Sequence, residues 1–239
     1  MENDQKKLNE AVNRAHSIVF FGGAGVSTES GIPDFRSEGR DEPGLPPEIA
    51  LSAGFFKADT KAFYAYYFSK MVHLHAKPNA AHMALARLEA EGKLKAVITQ
   101  NIDGLHQAAG SESVIELHGS VKRNHCINCK AFYTLGEICE NAPLVPLCKC
   151  GGVIKPDVVL YGEQLPEGAM EKAARFVQAA DMLVVGGTSL SVYPAAGLLG
   201  YFTGETLVIV NRQPTAHDRY ANIVMRGSIG EVFERLWEA

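Results

Sequence analysis

The sequence predicts an α/β fold: a Rossmann-like, doubly wound parallel sheet with a smaller inserted domain. Three observations carry this expectation. Short apolar runs recur along the chain with helix-period stretches between them, the pattern of a sheet covered on both faces. The first run, Ile18-Val19-Phe20-Phe21, leads through Gly22 into Gly23-Ala24-Gly25, a strand-to-glycine turn of the kind that brings backbone N–H groups against a phosphate. Two stretches, about 37–75 and about 119–155, break the alternation. They read as insertions that pack together as the smaller domain, leaving 1–36, 76–118 and 156–239 to the sheet.

Taken in order, residues 4–15 place Leu8, Ala11, Val12 and Ala15 on one helical face. Residues 17–21 follow as a buried strand. The first insertion is aromatic and helical, with Phe55-Phe56 and then Phe63-Tyr64-Ala65-Tyr66-Tyr67-Phe68. Pro78 precedes a helix over 79–91 that aligns Ala81, Leu85 and Leu88. Strands are expected at 96–99, 114–117 and 158–161. A helix over 168–180 carries Ala169, Ala173, Phe176, Val177 and Ala180 on one side. Strands at 182–186 and 207–211 complete the alternation. No internal repeat or low-complexity tract interrupts it.

Composition excludes several function classes. A hydrophobic share of 46% with 21% charged residues is that of an ordinary globular protein. The net charge of −4 lacks the basic surplus of a general nucleic-acid binder, so no direct nucleic-acid contact is expected. The first residues hold no apolar core of a signal peptide, and no apolar stretch is long enough to span a bilayer. A cytoplasmic address and a monomer are expected.

All five cysteines fall between positions 126 and 150. An odd count in a reducing compartment reads poorly as a disulfide framework. Cys126-Ile127-Asn128-Cys129 is a C-x₂-C knuckle, and Cys148-Lys149-Cys150 supplies a second pair after a gap of 18 residues. Two thiolate pairs fit a tetrahedral structural zinc held by Cys126, Cys129, Cys148 and Cys150. The alternative is four buried or oxidised thiols. Cys139 lies in a helix-like stretch and reads as a small core residue.

The chemistry-bearing residues cluster where strands end. Gly23 to Arg36 reads G-A-G-V-S-T-E-S-G-I-P-D-F-R, positions 99–106 read T-Q-N-I-D-G-L-H, and 116–119 read E-L-H-G. Open α/β sheets bind ligands at the carboxyl ends of their strands. Asn101 and Asp103 alternate about Ile102, so both polar side chains face one way. His118 suits general-base work, with an ordinary pKa near 6.5. Individually these residues have plainer readings. Any one of eight histidines is more often surface or core, Asp103 alone is equally a helix N-cap, and Arg36 alone is a solvated cation. The next convincing strand begins only near Leu94 and ends in Thr99-Gln100-Asn101, so no compact unit closes on an acid at its second strand, as hydride-transfer enzymes require.

The joint occurrence of these strings resembles the sirtuins, the NAD-dependent protein deacylases, in their bacterial form. The likeness continues through P-D-V-V-L-Y-G-E at 156–163, G-T-S-L-x-V-x-P-A at 187–195 and V-N-R at 210–212, nearly the whole chain. It implies that Ala24, Thr28, Phe35 and Arg36 line the NAD loop. Gln100, Ile102 and Asp103 would face the nicotinamide ribose and carboxamide, and Asn101 would hold the ribose and an ordered water. His118 would be the base, while Thr188, Ser189, Asn211 and Ile229 would hold the adenosine half. Positions 158–163 and 191–193 would clamp an acyl-lysine peptide as an added strand.

The implied reaction consumes NAD. The acyl-lysine oxygen attacks the anomeric carbon as nicotinamide leaves, and His118 deprotonates the ribose hydroxyl that takes up the acyl group. Free lysine and O-acyl-ADP-ribose result. The alternative reading is a mono-ADP-ribosyltransferase using the same pocket. Two departures from the family stand out. After Arg36 the loop 37–44 is short and acidic and lacks the usual aromatic. Where carboxylated acyl groups are preferred, the family has Tyr-x-x-Arg, but here Tyr64 is followed by Tyr67. Without that cation, acetyl or longer apolar groups are expected beside Phe63, Tyr66 and Phe68, the equal alternative being that these aromatics are simply helix-core residues.

Overall fold

The structure is a computed structural model that describes residues 2–34, 45–140 and 142–237. The first half of the chain forms α1 (Glu2–Arg14), β1 (Ile18–Gly22), α2 (Pro47–Ala50), α3 (Ala53–Ala58), α4 (Thr60–Lys70), α5 (Ala80–Ala90), β2 (Leu94–Thr99), α6 (Leu105–Ala108) and β3 (Val114–Glu116). Next come β4 (Gly119–Cys126), β5 (Phe132–Thr134), α7 (Leu135–Cys139) and β6 (Ile154–Val158). The chain continues with α8 (Ala169–Ala179), β7 (Met182–Gly186), β8 (Thr206–Val210), β9 (Ile223–Met225) and α9 (Ile229–Glu234).

Six strands make an all-parallel sheet in the order β3-β2-β1-β7-β8-β9. Counted within that sheet this is the 3-2-1-4-5-6 order of a doubly wound fold, and the order reverses between β1 and β7. Period-two alternation sends the strand residues to two cores. Ile18, Phe20, Val97, Val184 and Val208 pack with Leu8, Leu85 and Phe233 from α1, α5 and α9. Val19, Phe21, Ile98, Val185 and Ile209 pack on the other face with Ala173 and Val177 of α8 and with Leu198. Helix α5 starts where expected because the Asn79 side chain accepts from the Ala81 and His82 amides.

The small sheet is antiparallel, in the order β5-β4-β6. Its core joins both inserted stretches: Phe56, Phe63, Tyr64, Tyr67 and Met71 pack against Val121, Leu135, Ile138 and Ile154. One expectation is corrected here. The strand forms at 154–158, not 158–161, and belongs to the small sheet. Its residues alternate buried and half-buried, as a strand on one edge of a small core must. Beyond Val158 the backbone leaves the ladder. Val159 donates its amide to the His118 carbonyl (3.0 Å), Tyr161 donates to the Leu51 carbonyl (2.9 Å), and Ala53 donates to the Tyr161 carbonyl (3.0 Å). These bonds stitch the small sheet to the end of β3 and to the helical insertion. Strand β9, three residues at the sheet edge, has no counterpart among the strands the sequence predicts.

Candidate active site

A cleft of about 1510 Å³ lies where the strand ends of the main sheet meet the small sheet. Ala24, Ser27 and Thr28 line it from the turn after β1, Gln100, Asn101, Ile102 and Asp103 from the end of β2, and His118 from the end of β3. Thr188, Ser189, Asn211 and Ile229 line its other end, after β7 and β8 and at the start of α9. The three motifs read from the sequence therefore reach one site, because β1, β2 and β3 are neighbours in the sheet. Phe35, Arg36 and the loop 37–44 lie outside the described residues.

At the middle of the site two loops interlock. Gly25 donates its amide to the Gly187 carbonyl at 2.8 Å. A Cβ on Gly25 would stand 2.7 Å from the Gly187 Cα, and one on Gly187, whose φ is +59°, would stand 2.5 Å from the Val26 nitrogen. Only glycine permits this approach. It is what places Thr188 over the β1 turn, where its hydroxyl accepts from Gln100 Nε2 (3.0 Å) and its carbonyl accepts from Asn211 Nδ2 (2.6 Å). A glycine cradle with amide and hydroxyl groups at both ends suits a dinucleotide spanning the cleft.

Asp103 is not the N-cap of α6, a position that Gly104 takes. Its Oδ1 accepts from the Leu105 amide (2.8 Å), and its Oδ2 accepts from Ser27 Oγ (2.7 Å). Asn101 Nδ2 donates to the same Ser27 oxygen at 3.0 Å. Ser27 thus joins the glycine turn to both polar residues of the β2 end. It belongs to the G-A-G-V-S string, yet sequence reasoning gave it no role. Nothing in a sequence shows which hydroxyl two distant side chains will share.

His118 Nδ1 lies 3.0 Å from the Gln100 carbonyl oxygen. A carbonyl only accepts, so Nδ1 carries the proton and Nε2 is left as the basic nitrogen. Burial holds the His118 pKa below the usual histidine value, and the Gln100 contact offsets this in part. The ring is therefore neutral at neutral pH. Gly119 then turns the chain at φ +75°, where a Cβ would collide with the Asp157 carbonyl at 1.8 Å.

Beneath Asp103 sits a pair of buried histidines. His82 and His106 are 0% and 1% exposed, with ring centroids 4.7 Å apart. Burial lowers the pKa of His82 to about 4 and of His106 to about 3. The nearby Asp103 charge partly counters the shift at His82, and His82 adds to it at His106.

In the small sheet the four predicted cysteines converge, their sulfurs all within 4.8 Å of one another. Cys126 and Cys150 are 3.5 Å apart at sulfur, as are Cys129 and Cys148. A tetrahedral zinc with bonds of about 2.3 Å spaces its sulfurs about 3.8 Å apart, so the set fits a structural metal. The Tyr133 hydroxyl donates to Cys148 Sγ at 3.1 Å, an outer contact of the sort that orients a ligand. Cys139 is half-buried in α7 against the small core, as expected.

Of the two readings of the aromatic run in α4, the structure gives the helix-core one. Phe63, Tyr64 and Tyr67 are fully buried in the small core and do not line the cleft. Positions 63, 64, 67 and 71 share the buried helical face. The wall that faces the cleft comes from Met71, Val121 and Leu135, with the cations Lys70 and Lys122 beside them.

Comparison with known proteins agrees with this geometry. A model of the Sir2 family matches residues 23–194. The NAD-dependent protein deacetylase of Clostridium tetani is 53% identical over 234 residues, covering 95% of each chain. That of Clostridium acetobutylicum is 51% identical over 234 residues, covering 95% of this chain and 96% of its relative. A solved chain from work on the mechanism and regulation of Sir2 enzymes superposes with a TM-score of 0.89 at 41% identity, covering 100% of this chain and 98% of that one. Another, Sir2 with a p53 peptide and NAD+, superposes with a TM-score of 0.87 at 39% identity, covering 98% and 97%.

Proposed function

The chain belongs to the Sir2 family and is an NAD-dependent protein deacetylase, and we propose that its cleft does this work with His118 as general base. NAD, as co-substrate, supplies the ADP-ribosyl group that receives the acyl chain while nicotinamide departs. The observation that carries the assignment is the fixed tautomer of His118: the Gln100 carbonyl holds Nδ1 at 3.0 Å, leaving Nε2 to take a proton from the ribose hydroxyl.

The other residues divide the cofactor between them. Asn101, Asp103, Gln100 and Ile102 serve the nicotinamide and reacting ribose, with Ser27 fixing the first two relative to each other. Ala24 and Thr28 face the diphosphate. Thr188, Ser189, Asn211 and Ile229 hold the adenosine half. Phe35 and Arg36 are assigned to NAD contact on their motif alone.

The acyl-lysine peptide lies between positions 158–163 and 191–193 as an added strand. Supporting this, the rim there exposes large apolar residues, with Tyr161 at 50%, Val192 at 43% and Tyr193 at 73%. Such surface on an otherwise polar rim marks a binding edge. The buried cation-free face of α4 says nothing about the acyl group, since its rings do not reach the cleft.

The test is a panel of acyl-lysine peptides assayed with NAD, reading nicotinamide release and the mass of the acceptor. The expected result is loss of the acyl mass from the peptide. Gain of ADP-ribose on the acceptor would support transfer of the ribosyl group instead. His118→Ala is expected to lower turnover by about 10²–10⁴-fold, and wild-type turnover in that variant would overturn the assignment.

A further inference from the structure

The turn after β1 also carries an acid that its cofactor role does not explain. Glu29 sits between Thr28, which lines the cleft, and Ser30, yet it does not line the cleft itself. A carboxylate on a turn that accepts a diphosphate opposes the ligand's charge unless it is held elsewhere. Here it is held. Glu29 Oε2 accepts from the Gly230 amide at 2.8 Å, and Oε1 accepts from Ser228 Oγ at 3.2 Å.

These two donors form the start of α9. Ser228 occupies the N-cap position, but its side chain makes no capping bond within its own helix. An acid from some 200 residues away, on the cofactor turn, caps the helix instead, satisfying an amide that would otherwise lack a partner. The contact requires the glycine. A Cβ at Gly230 would stand 2.5 and 2.7 Å from the two carboxylate oxygens. Between the donors, Ile229 is 1% exposed and so close to the end of β7 that a Cβ on Gly186 would stand 2.3 Å from its Cδ1.

On its other flank the same turn reaches the reacting end of the site. Ser27 donates to Asp103 (2.7 Å) and accepts from Asn101 (3.0 Å). Asn79 Nδ2 donates to the Val26 carbonyl (2.8 Å) and to Ser30 Oγ (3.0 Å). Two short 3₁₀ segments, Ala24–Val26 and Thr28–Ser30, keep the turn compact between these anchors. We propose that Glu29 is a positioning residue that couples the two ends of the NAD site: by capping α9 it sets Ser228 and Ile229, at the adenosine end, in register with Ser27 and Asp103, at the nicotinamide end. The proposal rests on the reading of this cleft as the NAD site.

The experiment compares Glu29→Gln and Glu29→Ala with the wild-type enzyme. It follows NAD KM, peptide KM, kcat, melting temperature and the Kd for ADP-ribose by calorimetry. Gln keeps one acceptor oxygen in the same shape and Ala keeps none. NAD KM and the ADP-ribose Kd are expected to rise together, by about threefold in Glu29→Gln and about tenfold in Glu29→Ala, the range of one partly solvated charge-assisted contact. At saturating NAD, kcat and peptide KM stay within about twofold, a split that general loosening of the fold does not produce. Unchanged ADP-ribose affinity in both variants overturns the coupling, as do equal rises in both KM values that track a fall in melting temperature. If the wild-type enzyme itself fails to bind ADP-ribose, the reading of the cleft falls, and the coupling with it.

Discussion

The parallel and antiparallel sheets bury their residues by different means. The six-stranded sheet is covered on both faces, and its strand residues alternate between two continuous apolar cores. The three-stranded sheet has one core, built from α4 aromatics and a few aliphatic residues, and four converging cysteines. The side chains to which we assign the chemistry, Ser27, Asn101, Asp103 and His118, all stand at strand ends of the larger sheet. The smaller sheet supplies wall and rim. The division follows from size: the large sheet is held by two apolar cores, whereas a three-stranded sheet with one small core gains most from an added clamp.

Metal removal is the largest perturbation that tests this contrast. A structural zinc contributes about 10–16 kcal/mol in small peptides at neutral pH, comparable to the whole stability of a domain at about 5–15 kcal/mol. Chelation is expected to abolish activity and to strip hydrogen-exchange protection from β4, β5 and β6. Protection in β1 and β7 should persist. Equal protection in both sheets after verified metal loss would erase the distinction.

Substitution of His118 works from the opposite side. The expected loss of about 10²–10⁴-fold in turnover should leave protection of both sheets intact, because the His118 side chain lines the cleft at their junction and packs in none of the cores. In the wild-type enzyme kcat/KM should fall as pH drops below the His118 pKa, which burial sets under the usual histidine value. Protonation removes the free Nε2 pair. An acid limb centred above pH 6.5 would contradict the burial argument.

Much of the larger sheet was legible in the sequence, since five of its strands are apolar runs bounded by glycine or polar residues and its three motifs mark strand ends. The smaller sheet was less so. Its longest strand, Gly119–Cys126, reads G-S-V-K-R-N-H-C, with no clean alternation, because its ends answer to the cysteines and the turn at Gly119 more than to a core. The cysteine set was legible because ligand spacing is local. What spacing does not show is contact between distant segments. The Ser27 hydroxyl shared by Asn101 and Asp103 and the cap that Glu29 places on α9 arise only once segments 76 and 201 residues apart are brought together.

The histidine pair sharpens the comparison within the larger sheet. His82 and His106 are neutral in the folded chain at any pH above about 4, while the unfolded chain takes up protons below about 6.5. Above that pH both states are neutral and the pair adds no pH dependence. As pH falls through 6.5 the unfolded state binds more protons, so stability declines, down to about 4 for His82 and about 3 for His106. His106→Leu is expected to lose up to about 2 kcal/mol less than the wild type between pH 7 and pH 5, read from urea unfolding at each pH. An identical shift in both proteins would show that the pair is not buried neutral.

The smallest effect lies in the core of the smaller sheet, where two tyrosines on one helix face have opposite fortunes. The Tyr64 hydroxyl donates to the Ile154 carbonyl on β6, so it ties α4 to the strand beside the cysteines. The Tyr67 hydroxyl is equally buried but has no hydrogen-bond partner among the described residues. Its ring is stacked on Phe63 with centroids 5.8 Å apart, and the packing fixes the ring whether or not the oxygen is satisfied. Removing a made hydrogen bond costs about 1 kcal/mol, whereas removing a buried unpaired hydroxyl relieves a desolvation cost of similar or larger size. Tyr64→Phe should therefore lower the urea midpoint and Tyr67→Phe should hold or raise it, although the two substitutions delete the same atom from the same core. If both lower it equally, the Tyr67 oxygen has a partner in solution, and an internal water in the small core is the species that supplies it.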